Sequence, residues 1–168
     1  MKDAIVALNE IQKQGVIKEY AIGGAIGASF YIEAVNTTDV DVFILLLPPK
    51  GSLLISLTPI YDALVRLGGV IKGEHIIIGN WPIQVLAVEP GLLADALRHA
   101  RAVTYADQPT HVFTAEYICA IALNTGRVKD YLRVSMFIDQ EAVDMPALNA
   151  MVIQYGLANK LEKVLRMR

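Results

Sequence analysis

Residues 20–45 restrict the possible folds more than any other part of the chain. They read Tyr20-Ala-Ile-Gly23-Gly24-Ala-Ile-Gly-Ala-Ser-Phe-Tyr31 and, a little further on, Thr38-Asp39-Val40-Asp41-Val42-Phe43-Ile44-Leu45. Residues 18–22 suit a short strand that Gly23-Gly24 closes. The small and aromatic residues at 25–34 suit a helix ending before Asn36-Thr37-Thr38. Residues 40–47 form the clearest strand, stopped by Pro48-Pro49. Side chains alternate faces along a strand, so Asp39 and Asp41 point the same way. Two carboxylates on one face can share a divalent cation, and hard oxygen donors suit Mg²⁺, or Mn²⁺ in its place. Glycine at a strand-to-helix turn lets a phosphate approach the backbone, where N–H groups at a helix start favour an anion.

The rest of the composition narrows the surroundings of that motif. In 168 residues, 54% are hydrophobic and 19% charged, which supports a sizeable core and argues against disorder. A net charge of −2 disfavours bulk DNA binding, which needs a basic excess. The mean hydropathy of +0.43 is high. Yet the longest apolar stretches, 21–32 and 42–47, fall short of the ~20 residues of a spanning helix. The start lacks the apolar run of a signal peptide, so a cytoplasmic protein without a membrane segment is expected. The apolar surplus can serve a homo-oligomer or a partner protein. A single cysteine, Cys119, excludes an intrachain disulfide and a cysteine-based zinc site. His75, His99 and His111 are scattered without ligand spacing.

Periodicity predicts further elements. Residues 3–14 read as a helix capped by Asp3, with Ile5, Leu8 and Ile11 in a stripe and Gly15 as the stop. Thr58-Pro59 opens a helix to about residue 67. Residues 70–78 and 83–88 read as strands joined by Gly79-Asn80-Trp81-Pro82. A helix at 92–100 and a strand at 101–105 follow. After Asp107-Gln108-Pro109 only helical patterns appear, at 115–124, 128–140, 146–155 and 157–166. The expected organisation is a sheet-and-helix core over 1–106 and a helical subdomain over 107–168.

The Gly23-Gly24 turn, the short helix and the apolar-Asp-apolar-Asp-apolar strand together resemble the nucleotidyltransferase superfamily of the DNA polymerase β type. Gly126-Arg127-Val128-Lys129-Asp130 resembles a segment of its small bacterial members, including toxin–antitoxin and abortive-infection types. The resemblance implies an α/β fold: a mixed sheet flanked by helices, with the nucleotide between core and tail. It implies that Gly23 and Gly24 bind the phosphates of a nucleoside triphosphate and that Asp39 and Asp41 are catalytic and bind Mg²⁺ or Mn²⁺. Arg127 and Lys129 become phosphate contacts. The implied reaction moves a nucleoside monophosphate to a hydroxyl on a small molecule, protein or RNA.

Two positions depart from the superfamily pattern. The third carboxylate belongs on a neighbouring strand, where Pro82-Ile-Gln84-Val-Leu places a glutamine. Glu89 is five residues on and lies on the opposite strand face. A lysine expected in the helix before Gly126 is replaced by Ala122. A catalytically degenerate protein that senses nucleotides or binds a partner is therefore the alternative. Ordinary structural roles remain open for several residues: a tight turn for Gly23-Gly24, a helix-end charge for Arg127 and Lys129, core packing for Cys119 and turn packing for Trp81 beside Pro82.

Overall fold

A computed structural model describes residues 1–33, 37–46 and 56–167. The end of the helix predicted at 25–34, Asn36, Leu47 and Pro48-Pro49 lie wholly or partly outside the described residues.

Helix α1 (Lys2–Lys13) buries Ile5, Leu8 and Ile11 completely, as their spacing requires. Its N-cap is Met1 rather than Asp3. Asp3 sits inside the first turn, where its charge complements the positive end of the helix dipole without making the cap. Strand β1 (Glu19–Ile22) leads through Gly23 into α2 (Gly24–Ala28), which is shorter than predicted. Bonds of the tighter i,i+3 type, Phe30 N to Gly27 O and Tyr31 N to Ala28 O, end it, and Ser29 Oγ also donates to Ile26 O at 2.7 Å. Strand β2 (Val40–Leu45) and helix α3 (Thr58–Arg66) fall where the sequence puts them.

The stretch read as one strand at 70–78 is a hairpin of β3 (Val70–Lys72) and β4 (His75–Ile78). Gly73, at φ +62°, makes the turn. Strand β5 (Trp81–Ala87) begins earlier than predicted, and Pro82 is tolerated because pairing with β2 starts only at Ile83. After α4 (Leu92–Arg98) and β6 (Arg101–Tyr105) comes β7 (Gln108–Val112), where only helices were expected. Its Gln-Pro-Thr-His run hides the strand, because inward-facing Thr110 is polar. Ala106 and Asp107, both at positive φ, form the connecting turn. The sheet thus continues beyond residue 106.

The seven strands lie in the order β3-β4-β5-β2-β1-β7-β6. β2 runs antiparallel to β1 and parallel to β5. Val40, Val42 and Ile44 face one apolar cluster with α1 and α3, while Phe43 faces a second cluster. Helices α5 (Ala115–Thr125), α6 (Val128–Asp139), α7 (Met145–Gln154) and α8 (Ala158–Arg166) build that second layer. Phe43 and Phe113 meet with ring centroids 4.8 Å apart and join the sheet to α5. Burial on both faces explains the nearly continuous apolar run of β2, which Asp41 interrupts; Asp39 stands just before its first residue, Val40. Among the described residues, no helix is long and apolar enough to cross a membrane.

Candidate functional site

The interruption of β2 marks a cleft. A cavity of about 380 Å³ opens between the sheet, α5 and the start of α6. Asp39, Asp41, Gly24, Arg127 and Lys129 all line it. Residues more than 80 positions apart in sequence are thus brought onto one cavity. Gly23 is not among the lining residues.

The glycine turn fixes the carboxylates. Gly23 N donates to Asp41 O at 3.0 Å and ties the turn to β2. A Cβ on Gly23 would lie 2.6 Å from a ring carbon of Phe43, so packing alone demands glycine there. Gly24 has φ +56°, and a Cβ on it would lie 1.7 Å from Asp41 Oδ2. The Asp41 carboxylate therefore occupies the space that a side chain at 24 would fill. Asp39 is held separately: Thr37 Oγ1 donates to its Oδ1 at 2.8 Å.

Charge is divided across the cavity. Burial, and then the neighbouring Asp39 charge, raises the Asp41 pKa, while Arg133, Arg127 and Lys129 oppose the rise. These three cations thus share an electrostatic neighbourhood with the carboxylates. Asp130, almost fully buried, organises two of them. Its Oδ2 accepts from Arg127 Nε at 2.7 Å, and its Oδ1 lies 3.4 Å from Arg133 Nη1. Asp130 also accepts from Arg127 N at 3.3 Å, closing the first turn of α6. Sequence reasoning missed Arg133 and the anchoring role of Asp130. A basic residue three positions after Asp130, one helical turn on, was the available signal.

The departures also acquire positions. Gln84 pairs in register with Asp41 and lines the cleft. Glu89 lies exposed past the end of β5 and does not line the cavity. Five residues of extended chain separate it from Gln84, roughly 16 Å, which removes it as a stand-in. Ala122 lines the cleft without charge. His75 was unassigned in the sequence. It pairs with Gln84 from the other side, with Nε2 3.8 Å from Asp39 Oδ2.

The donor set fits a hard divalent cation: two carboxylates at a strand start, one steadied by Thr37 and the other seated on bare glycine backbone, open to a cavity that can supply phosphate oxygens. Among the described residues, no group of three or more Asp, Glu, His or Cys side chains forms a ready-made metal cage. The two aspartates alone would leave coordination positions open, some of them to water and substrate oxygens.

The mixed sheet, the glycine turn and the flanking helices define a nucleotidyltransferase-like fold. An antigenic nucleotidyltransferase-like protein from Paracoccidioides brasiliensis superposes with a TM-score of 0.54 at 13% identity, covering 98% of this chain and 90% of that one. ANT(2'')-Ia, crystallised in complex with adenylyl-2''-tobramycin, gives 0.54 at 13% identity over 94% of both chains. The solution structure of the antibiotic-resistance factor ANT(2'')-Ia gives 0.53 at 14% identity, over 99% and 98%. At these identities the likeness is one of fold. No protein-family model and no curated protein sequence matches the chain.

Proposed function

We propose that this chain is a divalent-cation-dependent nucleotidyltransferase that passes a nucleoside monophosphate from a nucleoside triphosphate to a hydroxyl acceptor. One observation carries the proposal: Asp39 and Asp41 share a single cavity with Arg127, Lys129 and Arg133. A metal–triphosphate complex has both kinds of charge to satisfy, and this cleft offers a partner for each. Asp39 and Asp41 would hold Mg²⁺ or Mn²⁺, which when bound neutralises triphosphate charge. Arg127 and Lys129 would grip the phosphates, with Arg127 kept in place by Asp130. Gly24 lines the same cavity, so a triphosphate held there would pass beside the turn that seats Asp41. The acceptor oxygen would bond to the α-phosphorus as the bond to the pyrophosphate leaving group breaks, and the hydroxyl proton would pass to water, since Gln84 cannot take it. The complex of ANT(2'')-Ia with adenylyl-2''-tobramycin supports testing ATP and small-molecule hydroxyls first, ahead of protein or RNA acceptors.

A second reading rests on Gln84. It stands in register with Asp41 where the superfamily resemblance expects a third carboxylate, and an amide cannot take the hydroxyl proton. Under this reading the cleft binds a nucleotide without turnover, and the chain acts as a sensor or partner-binding module. Val128 and Leu132, one turn apart on α6, are 72% and 55% exposed beside Arg127, as a partner surface would require.

Incubation with each labelled nucleoside triphosphate, Mg²⁺ or Mn²⁺ and a panel of acceptors separates the two. Pyrophosphate release with a labelled product supports the enzyme. Calorimetric binding without either supports the sensor. Absence of both binding and turnover removes the site.

A further inference from the structure

Gln84 draws attention to its other neighbour. The pairing sets Asp41, Gln84 and His75 in one row across β2, β5 and β4. Residues paired in register share a face, so His75 projects to the side that carries the two aspartates. No helix is needed to bring it there: the Gly73 turn returns the chain so that β4 runs beside β5. The side chain lies in that direction: its Nε2 approaches Asp39 Oδ2 to 3.8 Å and the side chain as a whole is 25% exposed, although His75 does not itself line the cavity. The opposite oxygen of Asp39 is occupied by Thr37 Oγ1. Oδ2 and the imidazole nitrogen are thus left facing one another across a gap too long for a good hydrogen bond.

We propose that His75 is a ligand to the divalent cation held by Asp39 and Asp41, supplying nitrogen where the glutamine withdraws a carboxylate. The inference rests on the metal-binding reading given above. Two donors on adjacent corners of an octahedral cation stand roughly 3 Å apart. The Asp39–His75 gap reaches that value with a small side-chain rotation. The resulting donor set, two carboxylate oxygens and one imidazole, is softer than an all-oxygen site. Imidazole is a good ligand for transition metals and a poor one for Mg²⁺. The structure therefore assigns this chain a preference for Mn²⁺ over Mg²⁺ that depends on residue 75. The remaining positions stay open to triphosphate oxygens and water. Among the described residues Asp39, Asp41 and His75 are not already gathered into a ligand group, so the cation must draw His75 in as it binds.

Electron spin-echo spectroscopy of the Mn²⁺-loaded protein, in the presence of each nucleoside triphosphate in turn, reads this directly. Protein labelled with ¹⁵N only at histidine distinguishes an imidazole ligand from a nucleotide base. Calorimetry of Mn²⁺ and Mg²⁺ binding on the wild type, His75→Gln and Asp41→Asn completes the set. The proposal expects nitrogen modulation that switches from ¹⁴N to ¹⁵N on labelling and vanishes in His75→Gln. It also expects at least about a tenfold loss of Mn²⁺ affinity in that variant, with Mg²⁺ affinity changed by less than about twofold. Mn²⁺ binding that needs Asp41 but shows no histidine modulation overturns the role of His75 and leaves the two-aspartate site standing. An absence of Mn²⁺ binding to the wild type with every nucleotide overturns both. The spectroscopic result on unmodified sequence does not depend on any variant folding.

Discussion

The Asp41 carboxylate sits directly against the Cα of Gly24, in space that any other residue at 24 would fill with its Cβ. This contact joins the two halves of the sequence motif, because the turn that would admit a phosphate also seats one of the acids that would hold the cation. Gly24→Ala therefore meets two penalties, the clash with Asp41 Oδ2 and the positive φ. We expect a loss of about 2 kcal/mol in chemical denaturation. We also expect at least about a tenfold drop in Mn²⁺ affinity as Asp41 is displaced. Wild-type stability together with wild-type affinity in this variant contradicts the contact.

Asp41 itself is a stability liability. Its pKa is raised in the folded chain, first by burial and then by Asp39. A raised carboxyl pKa means that the folded state favours the protonated acid. The stabilisation is complete below the unfolded-state pKa and is lost as pH rises through the folded-state value. Near neutral pH the ionised group works against folding. In metal-free protein, Asp41→Asn should thus melt a few degrees above the wild type at about pH 7. The gap should close as the pH falls below about 3.9, the ordinary aspartate value, where Asp41 is protonated in both folded and unfolded chains. Scanning calorimetry at the two pH values checks this, and a gap that widens on acidification contradicts it.

How far the sequence discloses all this depends on the range of the interactions. Asp39, Asp41 and the glycine turn lie within about twenty residues, so their common placement is legible from the local pattern of strand, turn and helix. The packing of Gly23 against Phe43 and Phe113 does not, since Phe113 arrives from the far end of β7. β7 itself is hidden because its inward-facing Thr110 is polar and is satisfied by Tyr20 Oη at 3.1 Å. His75 carries no ligand spacing along the chain, and only the register of β4 on β5 reveals it. Arg127 and Lys129 are visible as a resemblance; Asp130 meets Arg127 and Arg133 at local i,i+3 spacing, and only its burial is a tertiary fact.

Asp130→Ala tests that anchoring. Removing the carboxylate leaves Arg127 and Arg133 without their shared partner and opens the first turn of α6. Arg127 is largely exposed and water compensates part of the loss. The expected destabilisation is about 2 kcal/mol, below that of breaking a fully buried pair. Nucleotide affinity should fall with it, measured under conditions where the variant is folded. Unchanged denaturation and unchanged affinity contradict the assignment.

Cys119 is expected to be chemically silent. It is fully buried in α5, and burial pushes its thiol well above the usual range, so almost no thiolate forms at neutral pH. An aromatic disulfide reagent should label it only after denaturant is added. Rapid labelling of the native protein contradicts the packing of α5 against the sheet.

The decisive measurement is a crystal structure of the protein soaked with a non-hydrolysable nucleoside triphosphate analogue and Mn²⁺, with data collected to show the anomalous signal of manganese. The account predicts manganese bound by both Asp39 and Asp41, with the triphosphate running from it toward Arg127 and Lys129. Nucleotide seated elsewhere, or the two carboxylates bare of metal at saturating Mn²⁺, contradicts it.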